Sequence, residues 1–343
     1  MDKSLSYDDV LLVPKYSDIR SRSEIDITGD LTNGLSLPLP IISSPMDTIT
    51  ETTMSFIMAC MGGSGIIHRY NTIEEQSKMV REASAEIDSV AIGSLGAAVG
   101  VTGDYIERAQ SLVFAGVKYI CVDIAHGHHI LMKEALYNLR KALPPNFHIM
   151  AGNVATLQGV NDLADWGANS VRCNIGGGSI CSTRIQTGHG MPGLQTIFDC
   201  AKTDRDVGII ADGGIRNAGD IVKALAAGAD AVMCGSLLAG TNETPGNILK
   251  DASGSYKVYR GMASKEAQIN WRGRYSSFEG ISSVVPCRGN VDSLLTDLGK
   301  NIKSGFSYSG ARNMKELRLK ADFTQQTTAG TVESGTHISS KAV

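Results

Sequence analysis

Eight short apolar runs, separated by longer stretches with helical periodicity, constrain the fold of this 343-residue chain more than any other feature. The runs fall at 40–43, 65–68, 89–92, 119–122, 148–151, 170–173, 208–211 and 231–233. Amphipathic spacing predicts helices over 72–84, 105–115, 130–141, 157–166 and 218–227. A strand that is apolar on both faces belongs to a parallel sheet covered by helices. Eight such strand–helix units in succession predict a closed (β/α)8 TIM barrel, with 1–343 forming one catalytic domain. The alternative is an open doubly wound sheet, but no GxGxxG follows the first run as a dinucleotide-binding fold requires.

Polar and glycine residues follow the runs in phase: Ser44-Pro45-Met46-Asp47, Asp123 to His128, Gly152-Asn153, Gly176 to Arg184, Asp212-Gly213-Gly214 and Gly235-Ser236. In a barrel all of these lie at the carboxyl ends of the strands, where sites are built. Past Gly240 the periodicity changes. A stretch rich in Gly, Ser and Arg begins near Tyr259, and about 262–289 reads as a mobile flap over the site. A closing helix is expected at 292–302, then a polar, extended tail over about 324–343 that is ordered only if something holds it.

The charge balance, Lys+Arg 32 against Asp+Glu 35, argues against a nucleic-acid surface. Seven cysteines without a CxxC fit free thiols in a reducing cytoplasm. No apolar run reaches the 18 residues of a membrane span.

One cysteine stands apart. Cys181 follows Gly176-Gly177-Gly178-Ser179-Ile180 and precedes Ser182-Thr183-Arg184. Glycines allow a tight turn with exposed amides and carbonyls. Ser179 and the neighbouring N–H groups are candidates to hold an anion, with Cys181 beside it as nucleophile. A free thiol, of pKa about 8.5, needs activation for that role. Asp212-Gly213-Gly214 and Gly235-Ser236 end the last two strands, where barrels commonly bind phosphate. Tyr259 supplies a further donor, and Asp212 suits ribose hydroxyls better than phosphate. Asp123 is placed to bind a ribose or amide of a second ligand. The carbonyls of Gly176, Gly178 and Cys181 could cage a monovalent cation such as potassium. His126 and His128 lack the spacing and third ligand of a zinc site. Arg274-Tyr275, in the flap, either positions a water or is a surface pair. A nucleotide-binding regulator would keep the phosphate loops but has no need of Cys181.

These motifs make the chain resemble the IMP dehydrogenase and GMP reductase family over nearly its whole length. The resemblance rests on Leu5 to Leu12, Met46-Asp47-Thr48, Asp123 to His128, Gly176 to Cys181, Ala211 to Gly214 and Tyr259-Arg260-Gly261-Met262. It implies a TIM barrel, usually tetrameric, that acts on a purine nucleoside monophosphate with a nicotinamide cofactor. Cys181 would attack C2 of the purine. Ser179, Gly214, Gly235, Ser236 and Tyr259 match the phosphate site, Asp212 the ribose ligand, and Met46, Gly261 and Met262 the substrate side. Asp123, Ala125 and His126 match the dinucleotide side.

Two branches stay open. No paired regulatory module fits between His68 and Ser89, the flap between Met262 and Pro286 is short, and 21–26 and 182–188 resemble reductases, which use NADPH. A reductase is expected to carry a glutamate shortly after Met262; Glu266, one place past Lys265, stands in that stretch, and Thr183 matches its partner. On the other side, 123–128 resembles bacterial dehydrogenases, which use NAD. Arg274-Tyr275 matches their water-activating pair. Glu333, Ser334 and His337 match a tail that completes a potassium site on a neighbouring subunit.

Overall fold

The computed structural model describes residues 3–87 and 92–335. Eight parallel strands close into a barrel: β1 (Ile41–Ser43), β2 (Ser64–Ile67), β3 (Ser94–Val99), β4 (Tyr119–Asp123), β5 (His148–Val154), β6 (Ser170–Cys173), β7 (Gly208–Asp212) and β8 (Ala231–Cys234). Each pairs with the next in sequence, and β8 returns to β1 through Val232–Ile41, Met233–Ile42 and Cys234–Ser43. The expected (β/α)8 architecture is therefore the observed one.

Seven of the eight strands lie where the apolar runs predict them, within a residue or a few at each end. The third does not. The expected run at 89–92 falls almost entirely outside the described residues, and the strand is Ser94–Val99 instead. Its sequence, Ser-Leu-Gly-Ala-Ala-Val, is too rich in small residues to read as a strand. Tertiary packing explains the choice: a Cβ on Gly96 would stand 2.3 Å from the Tyr119 ring of the neighbouring strand. Small side chains here make room for one large one.

Helices Thr52–Cys60, Ile73–Ile87, Tyr105–Ala115, Ile130–Ala142, Leu157–Asp165, Gly193–Cys200, Ala218–Ala226 and Val291–Tyr308 surround the sheet. Their ends follow local chemistry: Thr156 and Asn217 cap their helices by accepting from Gly159 N and Asp220 N. The apolar faces of the helices pack on the outside of the sheet. A second cluster fills the inside, with Ile42, Ile66, Ala98, Tyr119, Met150 and Ile210 among its members. Leu31, Leu35 and Leu37, from the hairpin before β1, belong to this cluster and plug the amino-terminal mouth of the barrel.

The remaining segments also have regular structure. Strands Leu249–Asp251, Gly254–Arg260 and Ser282–Pro286 form an antiparallel sheet beyond β8. The segment expected as a flap contains a helix, Lys265–Arg272, capped by Ser264. The described part of the tail is held by the other end of the chain but is not extended throughout as expected: Phe323–Gln325 pairs antiparallel with Val10–Leu12, Phe323 meets the edge of Phe198 at 5.0 Å, and Thr328–Glu333 forms a short helix capped by Thr327.

At the plugged mouth His148 is 3% exposed, and its Nε2 lies 2.8 Å from the Ser170 hydroxyl. Burial, reinforced by the Arg140 charge, pushes its pKa down from 6.5 to about 4. The unfolded chain then takes up a proton below about pH 6.5 that the folded chain refuses until about pH 4. Stability should therefore fall as pH drops through that window, by up to about 3 kcal/mol. Urea unfolding of wild type and His148→Gln at pH 7 and pH 5 checks this. The variant should lose less stability on acidification than wild type; equal losses would contradict the assignment.

Candidate active site

The carboxyl ends of the strands open into one pocket, and most of the residues singled out from sequence line it. Its first wall follows β6, β7 and β8. Gly213 and Gly214 have φ of +83° and +75°, which an L side chain resists. A Cβ on Gly213 would sit 3.4 Å from Gly178 Cα, so the two loops approach backbone to backbone. A Cβ on Gly235 would lie 3.0 Å from the Tyr259 hydroxyl and 3.2 Å from the Met46 sulfur. Tyr259 is buried, with its hydroxyl 3.5 Å from Ser179 Oγ. Burial pushes its phenol above the ordinary range, against the pull of the Ser179 and Ser236 hydroxyls. It remains a neutral hydrogen-bond donor at neutral pH. The Arg260 guanidinium grips Asp47, with Nη2 2.5 Å from Oδ2, and fixes the loop that carries Met46.

Cys181 lies at the centre, half-buried. Its thiol donates to Thr183 Oγ1 at 3.2 Å, and that hydroxyl donates to Glu279 Oε2 at 2.7 Å. Backbone pairing holds this line together. Ser182 N donates to the Glu279 carbonyl at 2.8 Å, and Ile281 N to the Ile180 carbonyl at 3.0 Å. The partner of Thr183 is therefore Glu279, and the expectation of Glu266 is corrected. Glu266 stands exposed in the first turn of helix Lys265–Arg272, outside the pocket lining. The helix capped by Ser264 leaves Glu266 exposed, and the segment Glu279–Ile281, just before strand Ser282–Pro286, comes back across the thiol. Arg274 and Tyr275 are also exposed and outside the lining, with Lys265 Nζ 4.6 Å above the Tyr275 ring.

The opposite wall was largely hidden in the sequence. Arg172 on β6, almost completely buried, reaches Asp123 Oδ1 with Nη1 at 2.6 Å and Asp212 Oδ2 with Nη2 at 2.8 Å. Asn153 Nδ2 donates to the same Asp212 oxygen at 2.7 Å. Arg69 Nε lies 3.4 Å from Asp123 Oδ2. Burial opposes ionisation of Asp123, but the Arg172 and Arg69 charges outweigh it and hold the carboxyl below its usual range. Beside Arg69, Tyr70 stacks on Trp271 with ring centres 6.0 Å apart. Ala125 lines the pocket; His126 does not, and stands exposed. The one sequence signal for Arg172 was a cation between Val171 and Cys173 in an otherwise apolar strand.

Gly176 and Gly178 line the pocket, and the Gly178 carbonyl accepts from Cys181 N at 3.1 Å. Within one chain Ser334 donates to Gln326 and Gly330, and neither it nor Glu333 lines the pocket. His337 lies outside the described residues. His128 is bound to Asp162 at 2.7 Å, and no cluster of three metal-ligating side chains occurs among the described residues.

The glycine loop has little room to spare. A Cβ on Gly177 would lie 2.1 Å from Asn174 Nδ2. Gly177→Ala should displace Asn174 and cost about 1–3 kcal/mol of stability. Thermal unfolding measures it, and an unchanged midpoint would show that the loop adapts freely.

The description "IMP dehydrogenase / GMP reductase domain" fits residues 4–337. An inosine-5'-monophosphate dehydrogenase of Nitrosopumilus maritimus is 34% identical over 98% of both chains. A GMP reductase of Leishmania major is 31% identical over 99% of this chain and 98% of its own. These alignments run over 468 and 482 positions against 343 residues here, so both relatives carry an insertion that this chain lacks. The crystal structure of a cysteine-to-alanine variant of Trypanosoma brucei GMP reductase, in complex with guanosine 5'-monophosphate, superimposes with a TM-score of 0.92. That likeness holds at 29% identity over 99% of each chain. Among the described residues no helix is long and apolar enough to cross a membrane.

Proposed function

The chain belongs to the IMP dehydrogenase / GMP reductase family, and from that premise we propose that it is a GMP reductase. It converts GMP to IMP and ammonia with NADPH as the reductant. The observation that carries this reading is the hydrogen-bonded line from Cys181 through Thr183 to Glu279.

The line provides a proton path. The thiol proton passes to the Thr183 hydroxyl as that hydroxyl gives its own to Glu279, which leaves a thiolate to add at C2 of the purine. The 2-amino group then leaves as ammonia, taking up the proton that Glu279 returns through Thr183. The purine remains bound to sulfur through C2. When bound, the reduced nicotinamide supplies a hydride to that carbon, and the C–S bond breaks to release IMP and the thiolate. The phosphate falls to Ser179, Gly214, Gly235, Ser236 and Tyr259, the ribose to Asp212, and the purine edge to Met46, Gly261 and Met262. Asp123 and Ala125 face the dinucleotide, and the neighbouring Arg69, Tyr70 and Trp271 offer it cationic and aromatic surface. The same reading includes a potassium ion on the carbonyls of Gly176, Gly178 and Cys181, completed in a homotetramer by a neighbour's Glu333 and Ser334.

A second reading, oxidation of IMP to XMP with NAD and water, is favoured by the relatives named as dehydrogenases. It requires Arg274 and Tyr275 to leave the exposed positions they occupy and enter the pocket. Nicotinamide absorbance separates the two readings. GMP with NADPH should be consumed with release of ammonia; turnover confined to IMP with NAD would overturn the reductase assignment.

Two sets of variants extend the test. Cys181→Ala should abolish turnover while GMP still binds, as judged by calorimetry; loss of binding from a folded barrel would remove the sulfur from its assigned place. Glu279→Gln should lower kcat by about 10²–10⁴-fold, whereas Glu266→Gln and Arg274→Ala should stay near wild type. A collapse of activity in Arg274→Ala would favour the dehydrogenase.

A further inference from the structure

We propose that Arg172 couples the two halves of the pocket, so that nucleotide and dinucleotide bind cooperatively through its guanidinium. The inference rests on the assignment of a purine nucleotide to the Asp212 side and a nicotinamide dinucleotide to the Asp123 side. The residues involved come from four consecutive strands. Asp123 ends β4, Asn153 lies on β5, Arg172 on β6 and Asp212 ends β7.

One cation serves two carboxylates here. Arg172 is 7% exposed, and its bonds divide between them: Nη1 to Asp123 at 2.6 Å, and Nε and Nη2 to Asp212 at 3.0 and 2.8 Å. Its Nη1 also lies 3.5 Å from Cys121 Sγ, a buried thiol that burial pushes up to about 11 and so keeps neutral. A planar guanidinium with donors on three nitrogens can span both carboxylates at once; an ammonium is a point charge and cannot. The charge that neutralises one carboxylate is thus shared with the other.

The sharing is asymmetric toward ligands. Arg172 Nε, Arg172 Nη2 and Asn153 Nδ2 all converge on Oδ2 of Asp212, which leaves Oδ1 for a ligand's hydroxyls. Hydroxyl donors on Oδ1 draw the negative charge toward that oxygen and weaken the hold on Arg172. Arg172 is only 7% exposed and its guanidinium gains little from water, so its charge turns toward Asp123. Asp123 is then fixed in one orientation before the second ligand arrives. Binding on the Asp212 side therefore tightens binding on the Asp123 side, and linkage requires the reverse by the same factor.

The test is a coupling measurement on the full-length protein with GMP and NADP⁺, a pair between which no hydride can pass. Calorimetry gives the dissociation constant of each alone and in the presence of the other. Wild type should show one tightening the other within the usual range of about 5- to 150-fold. In Arg172→Lys, which keeps a charge but loses the fork, the coupling should fall toward unity whatever happens to the separate affinities. Asp123→Asn, which keeps the Arg172–Asp212 contact, should lose the coupling as well while GMP alone still binds. It serves as the second variant if Arg172→Lys does not fold. A general structural weakening would lower the separate affinities and leave the coupling factor intact. A wild-type factor of one, or a factor unchanged in both variants, overturns the proposal. Failure of GMP to bind wild type at all would instead overturn the functional assignment on which it stands.

Discussion

Closure of the sheet is the constraint on which the rest depends. Three residue pairs between β8 and β1 join the end of the barrel sequence to its start. An open parallel sheet would leave two edges of unpaired backbone groups and would spread its strand ends along a line. A closed one leaves no edge and gathers all eight carboxyl ends around one axis. Residues as far apart as Met46, Cys181 and Gly235 become neighbours through that geometry alone.

The interior explains how the barrel keeps a polar site at one mouth. The hairpin leucines seal the other mouth, and Tyr119 spreads across the gap that Gly96 leaves. The apolar filling stops where Arg172 begins. A buried guanidinium is costly unless its donors are satisfied, and here two carboxylates satisfy it. The arrangement stiffens the floor of the pocket and lets charge on one side be felt on the other. Above it the segment leading into the last strand of the antiparallel extension crosses the cysteine loop. Main-chain bonds between Ile180–Ser182 and Glu279–Ile281 give Glu279 its register. The hydrogen-bonded line from Cys181 to Glu279 therefore depends on backbone pairing between segments about 100 residues apart, as its side chains alone do not fix it.

The fold was legible because its signals are local and repeated. A strand buried on both faces must be apolar, and a covering helix must be amphipathic, so each unit announces itself. The exception, Ser94–Val99, is instructive: its small residues are chosen by a neighbour's aromatic ring, a relation that no window along the chain contains. The pocket glycines Gly176, Gly213 and Gly214 were equally legible, because positive φ and close backbone approach leave a mark at the residue itself. The tail differed again, since its order comes from pairing with Val10–Leu12 at the far end of the chain.

By itself the sequence determined the barrel, the glycine-lined wall and the loop that carries Cys181, each of which rests on residues adjacent in the chain. Only the tertiary structure decided which carboxylate meets Thr183 beside Cys181, which cation holds Asp123 and Asp212, and that Arg274 and Tyr275 face outward. Those relations are distances between segments remote in sequence, and a charged residue carries no mark of its partner until the chain has folded.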